Sequence, residues 1–141
     1  MAVQNNLEAK KLKFKSKNEG INKEKIKCYA EALSKEGPKL IAITGIVDSE
    51  DASKMFSMGF DFKNKEYFEV TAPYNGKSYS GTGDIFASIL CGYLVQGYRL
   101  KDGVQEATTF ISKAIAYTEQ FDIQTTEGIM YEIFLKELNL K

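Results

Sequence analysis

The sequence predicts an α/β protein, one half of an open, mainly parallel sheet layered by helices. Three observations carry that reading. Apolar residues recur at helical spacing in several separate stretches. A short run rich in β-branched residues, Leu40-Ile41-Ala42-Ile43, has the unbroken apolar character of a buried parallel strand. After it, apolar and small or polar residues alternate and then fold back, the pattern of a hairpin.

In chain order, residues 1–20 are polar and basic, with Lys10-Lys11-Leu12-Lys13-Phe14-Lys15-Ser16-Lys17, and are expected to form a solvated, disordered segment. A basic tail for nucleic acid is the alternative. Asn22 is a suitable N-cap for a helix to about Lys35, with Ile26, Tyr29, Ala30 and Leu33 on one stripe and Gly37-Pro38 as its stop. The Leu40–Ile43 strand follows, then a loop over Val47–Ser53. Phe56, Met58, Phe60 and Phe62 alternate with Ser57, Gly59 and Asp61, which predicts a half-buried strand. Lys63-Asn64-Lys65 turns the chain and Tyr67-Phe68-Glu69-Val70 returns. A loop over Thr71–Ser80 carries Pro73 and Asn75-Gly76. A helix from Asp84 to about Gln96 has Ile85, Phe86, Ile89, Leu90, Tyr93 and Leu94 on one face and the small residues Ala87, Ser88, Cys91 and Gly92 on the other. That composition predicts burial nearly all round, with Gly97 as the stop. A further helix from about Lys101 to Gln120 presents Leu100, Val104, Ala107, Ile111, Ala114 and Thr118. Thr125 or Thr126 starts a last helix, with Ile129, Ile133, Phe134 and Leu138 inward.

Composition narrows the chemistry. A chain of 141 residues is one domain by length, and 43% hydrophobic residues with a formal net charge of +0 suit a globular protein without a nucleic-acid or acidic-lipid partner. There is no histidine, which excludes histidine triads, histidine metal sites and imidazole acid–base work. Cys28 and Cys91 lie far apart among apolar neighbours and read as small core residues. The N-terminus lacks the apolar stretch of a secretory leader or membrane span, so the cytoplasm is the expected compartment.

Gly81-Thr82-Gly83-Asp84 carries the functional signal. Two glycines admit dihedrals closed to other residues and let backbone approach a ligand. The first amides of the helix that follows have no intrahelical partner, and the helix dipole adds partial positive charge there. Together they suit an anion, most often phosphate. Asp84 in the same turn would repel that anion, and a base that takes a proton from an attacking hydroxyl explains its presence. The same four residues can also be a loop ending in an ordinary helix cap made by Thr82 or Asp84.

The run GTGDIFASILCGYLVQGYRLKDGVQEA resembles the C-terminal signature of the ribokinase-like (PfkB-type) small-molecule kinases, and within them most resembles the pyridoxal/pyridoxamine kinase branch. Gly37-Pro38-Lys39-Leu40-Ile41-Ala42-Ile43-Thr44-Gly45 is similar to the family's strand that ends in Thr-Ser or Thr-Gly near the nucleotide. The likeness covers roughly residues 21 to 138. It implies a C-terminal half of a ribokinase-like three-layer fold over residues 21–141. By resemblance, Gly81, Thr82 and Gly83 supply the anion hole, Asp84 is the catalytic base, and Thr44 with Gly45 touches the ATP phosphates. The family's Asn-x-x-Glu metal-linked motif is not found upstream of the Thr44 strand; Asn5-Asn6-Leu7-Glu8 has surroundings that do not match.

The resemblance thus implies ATP-dependent phosphorylation of the 5'-hydroxymethyl group of pyridoxal, pyridoxamine or pyridoxine, with ATP and Mg²⁺ and with metal ligands that the sequence does not identify. Alternatives are a hydroxymethylpyrimidine or sugar kinase of the same fold, a non-catalytic nucleotide-binding module, and a remnant without activity. A partial chain is expected to be inactive alone, and either to form a homo-oligomer or to associate with the missing N-terminal half. Lys77, Tyr74 and Tyr79 are near the motif, as nucleotide contacts or as plain loop residues. Asp48, Glu50 and Asp51 read as a solvated acidic loop rather than a cation site.

Overall fold

The structure is a computed structural model and describes residues 22–138. Residues 1–20, with Asn5–Glu8, lie outside the described residues. The first helix, α1 (Lys23–Lys35), opens as expected: Asn22 is its N-cap and Asn22 Oδ1 accepts from Glu24 N at 2.8 Å. Strands β1 (Leu40–Val47), β2 (Lys54–Asp61) and β3 (Glu66–Pro73) follow. Then come α2 (Thr82–Val95) and α3 (Leu100–Thr118), and two short 3-10 turns over Thr125–Glu127 and Glu132–Glu137.

The sheet differs from expectation. Among the described residues its three strands lie in the order β1-β2-β3 and both pairings are antiparallel, so a mainly parallel sheet is not found. Short loops join neighbours in the chain, and a parallel pair needs a crossover of a dozen residues or more. The Leu40–Ile43 run is apolar because helices lie on both faces of the sheet, which holds whatever the strand's direction.

Register assigns the layers. Phe60 pairs with Ile41, and Met58 with Ile43, so these side chains share one face. There they pack with Ile26 and Ala30 of α1. Gly59 pairs with Phe68 and Ser57 with Val70 on the opposite face. There Phe68 and Val70 meet Phe86, Ile89, Leu90 and Tyr93 of α2 and Leu100, Val104, Ala107 and Phe110 of α3. The result is three layers, α1 over the sheet over α2 and α3. As the middle strand, β2 is buried on both faces rather than half-buried.

Other expectations are corrected here. Helix α2 is buried on one side; Ser88 and Val95 on its other side are exposed. The last expected helix is two 3-10 turns, with Ile129 buried and Ile133 48% exposed. Cys28 is exposed and Cys91 half-buried, so neither is a core residue. Among the described residues no helix is long and apolar enough to cross a membrane.

Candidate active site

The Gly81 turn is built by local backbone. Gly81 is the N-cap of α2 with φ 81° and ψ −5°, in the left-handed region. A side chain there would cost about 1–2 kcal/mol. No side chain caps the helix, and the Thr82 hydroxyl instead donates back to Tyr79 O at 3.1 Å. The first helical bond runs from Ile85 N to Gly81 O at 3.0 Å. The amides of Thr82, Gly83 and Asp84 precede it and so have no intrahelical acceptor. The ordinary capping arrangement, with Thr82 or Asp84 as the cap, is not the one adopted.

A β-bulge prepares the facing wall. The β1–β2 register shifts between Ile43 and Ile46, so Thr44 and Gly45 leave the ladder, with Gly45 at φ 71°. Such a bulge bends a strand and re-aims its side chains. Thr44 therefore lies within β1, which continues to Val47, rather than at the strand's end. Thr44 and Gly45 line one cleft of about 270 Å³ together with Thr82 and Gly83. Gly81 and Asp84 flank Thr82 and Gly83 in the chain without lining it, and Asp84 is exposed in the first turn of α2.

The loop between β3 and α2 forms the third side. Asn75 Nδ2 donates to Tyr79 Oη at 3.1 Å and to Glu119 Oε1 at 2.7 Å, and Asn75 Oδ1 accepts from Lys77 N at 3.0 Å. Tyr79 is 6% exposed and packs with Ala114 and Ile129, so it pins the loop as well as lining the cleft. Tyr74 and the exposed Lys77 also line the cleft.

Sequence reasoning missed the floor of this cleft, which includes Met55, Ser57, Thr108, Ile111, Ser112 and Ile115. The signal was present in α3: Thr108 and Ser112 repeat at i, i+4 beside the core stripe, and Ile115 lies one turn beyond Ile111 of that stripe.

Among the described residues no group of three or more Asp, Glu, Cys or His gathers to hold a metal. In the acidic loop Asp48 Oδ1 accepts from Glu50 N at 2.9 Å. Asp51 accepts from the Ser53 amide and hydroxyl and pairs with Lys54 at 3.1 Å. Those contacts hold the Asp51 carboxyl down at about 2, the Ser53 hydroxyl first among them.

Comparison with known proteins places the chain in a family. A family model described as phosphomethylpyrimidine kinase matches residues 1–130, a span that takes in Asn5–Glu8. A Bacteroides thetaiotaomicron protein, provisionally assigned as a phosphomethylpyrimidine kinase, is 32% identical, with a TM-score of 0.77 over 86% of this chain and 41% of its own. A second crystal form of that protein, solved with pyridoxal, gives 33% identity and a TM-score of 0.79 over 84% of this chain and 42% of its own. Pyridoxal kinase from Leishmania donovani, solved with ADP, shares the fold at 18% identity and a TM-score of 0.65, over 84% of this chain and 42% of its own. None of the curated protein sequences matches. The chain therefore spans 41–42% of the length of these solved structures. It belongs to the phosphomethylpyrimidine kinase family of ribokinase-like kinases.

Proposed function

We propose that this chain supplies the phosphate-binding half of an ATP-dependent kinase whose acceptor is the 5'-hydroxymethyl group of a B6 vitamer. The observation that carries the reading is the uncapped α2 N-terminus. The left-handed Gly81 leaves the amides of Thr82 and Gly83 without intrahelical acceptors beside a cleft that Thr44 and Gly45 also line. Backbone donors held in that way stabilise charge on a transferring phosphoryl group without reorganising. Thr44 and Gly45 then lie along the ATP phosphates, and the floor of the cleft, with Met55, Ile111 and Ile115 for apolar contact and Ser57, Thr108 and Ser112 for hydrogen bonding, suits a base.

In the proposed step, Asp84 takes the proton of the acceptor hydroxyl as that oxygen attacks the γ-phosphorus. The bond to the β-phosphate oxygen breaks and ADP leaves. Asp84 is exposed in this chain, which leaves it open to an acceptor held by the rest of the enzyme. Asn5-Asn6-Leu7-Glu8 keeps the Asn-x-x-Glu spacing and lies within the family match over residues 1–130, although its surroundings differ from the family's motif. The chain spans 41–42% of the length of its solved relatives, and the remaining walls of the acceptor site are left to the part it does not span.

Pyridoxal bound to the relative that is 33% identical favours the B6 acceptor. The family description favours a hydroxymethylpyrimidine, and that is the second reading. The test is a phosphotransfer assay on the protein as its gene expresses it, with ATP and, in turn, pyridoxal, pyridoxamine and hydroxymethylpyrimidine. Transfer to a B6 vitamer, lost in Asp84→Asn, is expected. Preference for hydroxymethylpyrimidine would replace the acceptor, and ATP-independent behaviour with all of them would end the kinase reading.

A further inference from the structure

The phosphate-binding turn does not hold its shape by itself. Ser80, the residue before Gly81, donates its amide to Thr125 O at 3.0 Å. That bond fixes the peptide that enters the turn and turns the Ser80 amide away from any ligand at Thr82 and Gly83. The acceptor belongs to the segment Gln124–Met130, which crosses behind the loop. Gly128 of this segment is buried with φ 87°, and a Cβ there would lie 3.0 Å from Ser80 O. Glycine is thus needed twice, for its dihedral and for close approach to the Ser80 carbonyl.

The segment is in turn anchored to α3. Thr118 is 1% exposed; its hydroxyl donates to Ala114 O at 2.7 Å and accepts from Met130 N at 2.8 Å. Ile129 fills the space between Tyr79 and Ala114. A chain of contacts therefore runs from α3 through Thr118 to Met130, along the segment to Gly128 and Thr125, and into Ser80.

We propose that Gln124–Met130 is a positioning strap for the phosphate-binding turn, with Gly128 and Thr118 as its positioning residues. The proposal rests on the phosphate-site reading above. The strap sets the angle at which the Thr82 and Gly83 amides meet an anion. No residue of the strap lines the cleft, and it meets the floor only through the apolar cluster of Ile129 with Tyr79 and Ala114, against which Ile111 and Ile115 pack, so its main effect is on phosphate rather than on the base.

The test compares the affinities of ATP and adenosine for the purified chain by titration calorimetry. The parent is expected to bind ATP more tightly than adenosine. Gly128→Ala is expected to weaken ATP roughly tenfold, the loss of about one charge-assisted hydrogen bond, and to leave adenosine unchanged. Thr118→Val removes the acceptor for Met130 N and is expected to act in the same direction. Thr118→Ser keeps the hydroxyl and is expected to restore the parent's ratio, which keeps the test decisive if Gly128→Ala fails to fold. If Gly128→Ala and Thr118→Val melt at lower temperature yet keep the parent's ATP-to-adenosine ratio, the strap is merely structural and the proposal is overturned. If the parent itself binds ATP no better than adenosine, the phosphate-site reading fails first and the strap's role falls with it.

Discussion

Phe68 fills the space above Gly59. The two are cross-strand partners in the β2–β3 pairing, and the tip of the Phe68 ring lies where a side chain on Gly59 would be. A Cβ there would sit 2.6 Å from both Cε1 and Cε2 of the ring. The ring thereby lies against the sheet and joins the core shared with α2 and α3.

Gly59→Ala is expected to cost about 1–3 kcal/mol by overpacking, and Phe68→Ala about 3–5 kcal/mol by truncation. The double variant should cost less than the sum, by about 0.5–3 kcal/mol, because removing the ring frees the space that alanine needs. Denaturant unfolding of the four proteins measures this coupling. Additive losses would mean that the ring does not depend on Gly59.

The glycines of the candidate phosphate site are expected to respond with opposite signs. Gly81→Ala forces a left-handed residue and should cost about 1–2 kcal/mol. Gly83 lies inside α2, and a Cβ there meets nothing within 4 Å. Gly83→Ala should therefore be neutral or stabilising by up to about 1 kcal/mol. Thermal melts of the pair check the difference, and equal losses would contradict the assigned dihedrals.

Asp84→Asn is expected to lower turnover of the assembled kinase by about 10²–10⁴-fold, the range for losing a general base. As Asp84 is exposed, stability should change by no more than about 0.5 kcal/mol. Steady-state rates set beside melting curves separate the two effects. Turnover within a few-fold of the parent would remove Asp84 from the base role.

Asp61 makes the β2–β3 turn sensitive to acid. Burial pushes its carboxyl up, but donation from Asn64 N, Asn64 Nδ2 and Lys63 N outweighs burial and holds it below the usual carboxylate range. A group lowered on folding stabilises the fold above its unfolded value, about 3.9, and loses that contribution as pH falls through the folded value. Asp61→Asn should therefore lower the melting temperature at pH 7, and the gap from the parent should narrow at pH 3. A gap that stays constant with pH would contradict the assigned charge.

What was legible in the sequence was local. Asn22 as a cap, the turn at Lys63-Asn64-Lys65 and the GTGD turn each depend on a few adjacent residues, and each lies where those residues predict. What was hidden depends on distant partners. The direction of Leu40–Ile43 does not show in its composition, because burial on both faces selects the same apolar run. Gly59 looks like a solvent-side residue until Phe68 is placed over it. The last segment has helical spacing, but Gly128 and the Thr118–Met130 bond hold it in another path. Cys28 falls between Ile26 and Ala30, on the side of α1 turned from the sheet, so apolar neighbours in sequence were no guide to its burial.

Amide shifts on adding ATP test the central claim most directly. In a ¹⁵N–¹H spectrum of the chain, ATP is expected to move the amide signals of Thr82, Gly83 and Asp84, while adenosine moves residues of the cleft floor and leaves those amides in place. If ATP leaves all of those amides unmoved while shifting signals elsewhere, the α2 N-terminus is not the phosphate site.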